Sequence, residues 1–326
     1  VWRLADGTPV GEPLRGHSSW VNAVATGSLP DGTPLIISGG WDGTVRVWRL
    51  ADGTPVREPP SDHHLAVNAV AVGSLPDGTP VIISGGHDAT VRVWRLADGT
   101  PVEEPLRGHL LAVNAVAVGS LPDGTPVIIS GGEDATVRVW RLADGTPVGE
   151  PLRGHSSWVN AVATGSLPDG TPVIISGGDD HTVRVWRPAD GTPVGEPLHG
   201  HDGPVNAVTA GSLPDGTPVI ISGGHDATVR VWRLADGTSV GEPLRGHDGS
   251  VNAVATGSLP DGTPVIISGG DDCTVRVWRL ADGTRVVPPL ALPEAVRAVA
   301  FYGDLIVTAA GPDIAVHHSV LPRPTR

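Results

Sequence analysis

The chain has no lysine and no methionine, and only one cysteine, one phenylalanine and one tyrosine among 326 residues. Each shortage excludes something. Cys273 has no second thiol to pair with, so a disulfide-stapled fold is out. No apolar run approaches the roughly 18 residues a membrane-spanning helix needs, and no signal peptide is visible, so no membrane partner is expected. All 22 basic residues are Arg, outnumbered by 35 acidic ones for a net charge of −13. Phosphate backbones require clustered cations, so nucleic acid is not an expected partner either. Arg in place of Lys, beside abundant Ala, Gly and Pro, is the residue signature of a GC-rich genome. It leads to the expectation of a bacterial, cytoplasmic protein. Val1 stands in the middle of a repeat, and the sequence is therefore expected to be a fragment of a larger multidomain protein.

What is plentiful is punctuation. The sequence has 45 Gly and 32 Pro, too many for long helices, yet 39% of it is hydrophobic, too much for a disordered chain. Many short strands joined by tight turns satisfy both facts.

Self-comparison supplies the order. Trp2, Trp48, Trp94, Trp140, Trp186, Trp232 and Trp278 follow one another every 46 residues, and residues 11–26 recur unchanged as 149–164. A period of that length belongs to solenoids, arrays or propellers. Between Gly16 and Asp62 one unit holds four apolar runs, each too short for a helix: Val21–Thr26, Pro34–Ser38, Thr44–Leu50 and Pro55–Pro59. The third alternates in the period of two that strands require. Asp-Gly turns separate the runs. Four antiparallel strands per unit make one propeller blade, and the helical repeat families are rejected. The fourth run carries Pro at both ends (Pro101 and Pro105 in the next repeat), so it is the outer edge strand, and Val21–Thr26 lines the channel.

The unit Gly-His…Ser-Gly-Gly-x-Asp…Val-Arg-Val-Trp resembles the WD40 repeat over nearly the whole chain, in the highly repetitive, recently amplified bacterial form. The resemblance implies a hydrogen-bonded set of His, Ser, Asp and Trp in each blade. Carried over by position, the sets are His17, Ser38, Asp42 and Trp48; His63, Ser84, Asp88 and Trp94; His109, Ser130, Asp134 and Trp140. They continue as His155, Ser176, Asp180 and Trp186; His201, Ser222, Asp226 and Trp232; His247, Ser268, Asp272 and Trp278. Two departures stand outside the set. The family's Trp-Asp is Trp-Arg here in every repeat but the last, and His63 follows Asp rather than Gly.

Six units are full and the seventh is degenerate. Residues 296–301, 305–308 and 314–320 read as its first three strands, with Ser319 about where Trp belongs. Thr8–Leu14 is a fourth-strand sequence without a blade, and pairing it with the last three strands removes two exposed sheet edges. Residues 1–4 are then a surplus third strand, expected to be displaced or loosely packed. The expected fold is an all-β, seven-bladed propeller in one domain, 1–326. Its blades run about 17–62, 63–108, 109–154, 155–200, 201–246, 247–291, and 292–326 with 1–16.

Catalysis finds little support. His and Asp recur once per blade and read as structural; His317 and His318 face opposite sides of a strand; Cys273 has no repeated partner. Gly39-Gly40 recurs beside Ser38 and reads as tight turning and close packing, not as a phosphate cradle. No catalytic residue, metal or cofactor is expected, and the protein is not expected to be an enzyme.

Variation among near-identical repeats is more informative. The loop after the His differs: Ser18-Ser19-Trp20, His64-Leu65-Ala66, Leu110-Leu111-Ala112, Ser156-Ser157-Trp158, Asp202-Gly203-Pro204, Asp248-Gly249-Ser250. So does the residue before the Asp: Trp41, His87, Glu133, Asp179, His225, Asp271. Topology puts both loops on one face, which the WD40 resemblance implies is the partner face. The expected partner-binding residues are Ser18, Trp20, Trp41, His64, His87, Leu110, Leu111, Glu133, Trp158, Asp179, Asp202, His225, Asp248 and Asp271. The Trp and Leu residues form an apolar arc and the Asp residues an acidic one, fitting a protein or peptide with an apolar ridge beside a basic patch. The plain alternative is that loops tolerate change. The chain is expected to be a monomeric binding scaffold or sensor. Two other classes remain open at this point: an amplified or designed array with a purely structural role, and a small-molecule binder or enzyme using the channel. Asn22, Asn68, Asn114, Asn160, Asn206 and Asn252 would ring that channel, or make local hydrogen bonds between blades.

Overall fold

Pro-Asp-Gly makes the first turn of each full unit. In the third repeat Gly124 N donates to Leu121 O and Leu121 N to Thr125 O, both at 2.9 Å, with Gly124 at φ +85°. This is a type I turn closed by a left-handed glycine, which suits a hairpin's twist. Asp123 braces it by accepting from Thr125 N at 2.9 Å. The turn joins strand Val113–Ser120 to strand Pro126–Gly132, which continues through a second hairpin into Thr136–Arg141.

The computed structural model describes residues 2–3, 12–56, 63–303 and 305–318, with side chains throughout except at 2, 3 and 318. Among these residues every regular element is a strand. Seven sheets follow one another in sequence, antiparallel except where Trp2–Arg3 joins the last. The inner strands of the first and last, Val21–Ser28 and Val296–Tyr302, pack against each other, so the sheets form a closed ring of seven blades.

The outer strand differs from the sequence expectation. It comes in two pieces: an isolated bridge, Trp94 with Pro101, and then Leu106–Arg107 paired with Thr90 and Val91. The second piece starts beyond Pro105, where the fourth run was expected to end. Pro101 and Pro105 have no N–H to give, so continuous pairing between them is lost and the chain bends away before rejoining the edge. Residues 57–60, which include the end of the first repeat's fourth run, fall outside the described residues.

Gly39-Gly40 combines a turn with close packing. Both residues lie within strand Pro34–Gly40 and neither has positive φ; Gly40 opens the following turn, its carbonyl accepting from Gly43 N at 3.1 Å. Close packing requires glycine at both places. A Cβ on Gly39 would sit 2.5 Å from Val67 Cγ1 of the next blade, and one on Gly40 2.7 Å from His17 Nδ1.

The core is a series of interfaces rather than one centre. Val127, Ile129 and Val139 of one blade cluster with Val159, Val162, Ile174 and Trp186 of the next, and each other interface repeats the arrangement. Burying each Ile or Val contributes roughly 1.5–3 kcal/mol.

At the seam, Leu14 N donates to Ile314 O at 2.9 Å, and Leu14 is buried against Ile314 and Val316 of the last blade and Val21 and Trp48 of the first. Thr8–Gly11 lie outside the described residues, so only the Leu14 end of that pairing is visible. Residues 1–4 were expected to be surplus. Trp2–Arg3 instead pair in parallel with His317 and His318, satisfying part of an otherwise open edge. The register corrects one further position. Ile306 faces His317 as Ile36 faces Trp48, so His317, not Ser319, stands in the Trp slot. The turn before it is one residue shorter than in the full blades, which accounts for one of the two places between Ser319 and His317. Ser319 lies outside the described residues.

Candidate partner-binding face

Each full blade has one polar network beneath its loops. The buried Trp gives its indole N–H to the Ser hydroxyl at 2.9–3.0 Å. The same hydroxyl lies 2.7–2.8 Å from the His Nε2. His Nδ1 lies 2.9–3.1 Å from the Asp carboxylate. The carboxylate needs a donor, so Nδ1 carries a proton toward it, which leaves Nε2 to accept from Ser in the neutral form. Burial lowers the pKa of His201 and His247, favouring that neutral form against the pull of Asp226 and Asp272.

The Asp is the hub. Asp42 accepts from His17, from Thr44 Oγ1 at 2.7 Å, from Thr44 N at 3.1 Å and from Ser18 N at 2.9 Å. Burial alone would raise its pKa; the donors outweigh burial and hold it well below the usual carboxylate range. For Asp272 the same balance lowers the pKa to about 2.

The two variable loops are pinned together by backbone. Trp41 N donates to Trp20 O, and Glu133 N, Asp179 N and Asp271 N to Ala112 O, Trp158 O and Ser250 O, all at 2.8–2.9 Å. His87 and His225 are held in the same way by Ala66 O and Pro204 O. After each Asp the chain enters the left-handed region, where Gly43 is at home. Ala89, Ala135, His181, Ala227 and Cys273 occupy it at φ +58° to +63°. The glycine at position 43 was the sequence signal for this geometry.

On this scaffold Ser18, Trp20, Trp41, His64, His87, Leu110, Leu111, Trp158, Asp202, His225, Asp248 and Asp271 are exposed, while Glu133 and Asp179 are half-buried. Trp41 is 64% and Leu110 82% exposed. Leu65 joins them, a residue of the variable loop that was not among the expected contacts. Trp20, Trp41, Leu65, Leu110, Leu111 and Trp158 are all the exposed large hydrophobic residues among those described, and all lie in these loops. Asp179 and Asp271 are tied inward, accepting from Asn160 and Asn252 Nδ2 at 2.6 and 2.7 Å.

The inner strands line a channel with Asn22, Asn68, Asn114, Asn160, Asn206 and Asn252 at its mouth. Each carboxamide donates to the Val carbonyl opening the next blade's inner strand, at 3.1–3.4 Å. The seventh place belongs to Arg297, which sequence reasoning missed; the signal was Val-Arg-Ala-Val where six repeats have Val-Asn-Ala-Val. No group of three or more His, Cys, Asp or Glu among the described residues is placed to hold a metal.

Comparison with known proteins gives two findings. The family model "WD domain, G-beta repeat" matches residues 7–49, 53–95, 99–141, 145–187, 191–233 and 237–279. The crystal structure of the WD40 β-propeller domain of Doa1 is similar in fold, with a TM-score of 0.74 at 22% identity, covering 94% of each chain. Among curated proteins, no sequence matches this chain.

Proposed function

Because this chain belongs to the WD40 repeat family, we propose that it is a binding scaffold whose variable-loop face docks a protein or peptide. One observation carries the reading: every exposed large hydrophobic side chain among the described residues lies in the two loops of that face. Exposed aromatics are the usual interface anchors, and a fixed backbone lowers the ordering cost of presenting them. The acidic loops of the later blades, Asp202, Asp248 and Asp271, select the partner's charge. Its chemistry is an apolar ridge flanked by basic residues.

The test is affinity capture from a lysate of the source cells, with cross-linking to map contacts. The wild-type protein retains a partner cross-linked to Trp20 and Trp41, and Trp20→Ala with Trp41→Ala abolishes its capture. Equal capture by both forms overturns the reading.

A further inference from the structure

Arg297 breaks a symmetry that the other six blades keep. Six Asn side chains each give a hydrogen to the following blade, and the seventh link, from Arg297 toward Val21, is not made. The Arg297 guanidinium lies instead over the Trp20 ring, 4.9 Å from its centroid. Among the described residues it has neither a hydrogen bond nor an ion pair, and its Nε is buried without an acceptor. A guanidinium is always charged and carries five donors, so Arg297 has hydrogens to offer an acceptor that enters the channel.

The space beside it is the open central channel, about 170 Å³, lined by Asn, Ala and Val of six inner strands and by Arg297, Ala298 and Val299 of the seventh. That accepts a side-chain group, not a drug-sized molecule. Asn252 spends both carboxamide hydrogens, on Val296 O and Asp271 Oδ1. Asn22, on the other flank, gives Val67 O one and keeps one. Arg297 and Asn22, on neighbouring inner strands of the channel, therefore both have hydrogens to give, and the Arg297 guanidinium lies over Trp20.

We propose that the channel mouth is a binding site for a single carboxylate, paired with Arg297 and steadied by Asn22. This deepens the reading of the face as a peptide-binding surface and rests on it for its biological role. The charge count chooses the ligand. One guanidinium neutralises one negative charge, while Asp271 in the adjoining loop and a net charge of −13 repel a dianion such as phosphate. The bound segment thus places one acidic side chain, or its terminal carboxylate, in the channel while its basic residues face the acidic loops.

The probe is sodium acetate, titrated into isotopically labelled protein at constant ionic strength while the Arg297 Nε–H and Trp20 indole resonances are followed by NMR. A saturable shift in the millimolar range is expected. Arg297→Asn, which installs the residue the six other blades already have and so keeps the fold, weakens binding by about tenfold or more. Acetyl-glutamate amide and acetyl-glycine separate a side-chain from a terminal carboxylate, with acetyl-glutamine amide as the neutral control. No saturable response, an unchanged response in Arg297→Asn, or phosphate binding more tightly than acetate overturns the proposal. The titration needs no protein partner. Its failure removes the carboxylate site alone, whereas failure of the Trp20 and Trp41 test removes the partner face.

Discussion

Asp134 receives hydrogen bonds from His109 Nδ1, Leu110 N, Thr136 N and Thr136 Oγ1. Asp134→Ala leaves these donors facing a void, and the expected loss is about 1–3 kcal/mol, read by urea unfolding at pH 7. Unchanged stability would remove the hub role. His317 behaves differently. It is fully buried in the Trp slot, its Nε2 lies 2.8 Å from Thr308 Oγ1, and burial pushes its pKa down to about 3. The unfolded chain takes up the proton near pH 6.5 and the folded one does not. Stability therefore falls as pH drops below about 6.5, by about 1.4 kcal/mol per unit from this group, and the loss levels off near pH 3. Below pH 4 the Asp hubs add their own loss, because their folded pKa values lie under the unfolded ones. His317→Trp, which gives the last blade the residue of the others, is expected to flatten the profile between pH 7 and 5. An unflattened profile would assign the slope to other groups.

The blade is the unit on which sequence reasoning worked best, since repetition displays the same turn and strand six times. It fell short where the chain departs from repetition. The split outer strand escaped notice because Pro marks an edge without saying how far pairing continues past it. His317 was misplaced partly because a turn one residue shorter shifts the register, and only the pairing of Ile306 reveals the slot. Arg297 lay in plain view but acquires meaning only beside Trp20, almost the whole chain away. The variable loops were legible because change stands out against copies. Closure is the element-scale prediction. Leu14 supplies the seam with its buried side chain under the Ala51–Gly53 turn, so Leu14→Ala is expected to cost about 2–5 kcal/mol. Deletion of residues 1–14 should cost at least as much, by thermal or urea unfolding. No loss from either change would mean that the seam closes without it.

Across the whole molecule the two faces are unequal. One carries the Trp, Leu and Asp residues; the other repeats Leu-Pro-Asp-Gly-Thr turns whose Asp residues are spent on their own Thr N–H. Capture of a partner is accordingly expected to survive Asp123→Ala in such a turn while it is lost with Trp20 and Trp41. The residues of the His-Ser-Asp-Trp networks sit directly beneath the variable loops, so the surface can vary from blade to blade over a constant support.

The seam at Leu14 also sets a schedule. Leu14 leaves the ribosome 300 residues before Ile314, which receives its N–H. The middle blades can each pack on a finished neighbour as they emerge, whereas this contact waits for the last blade. Until then a leucine that belongs in the last interface is free, in a chain where Leu106, Leu152, Leu198 and Leu244 fill the same kind of place. Arrival of the final strand is what turns a growing stack into a ring.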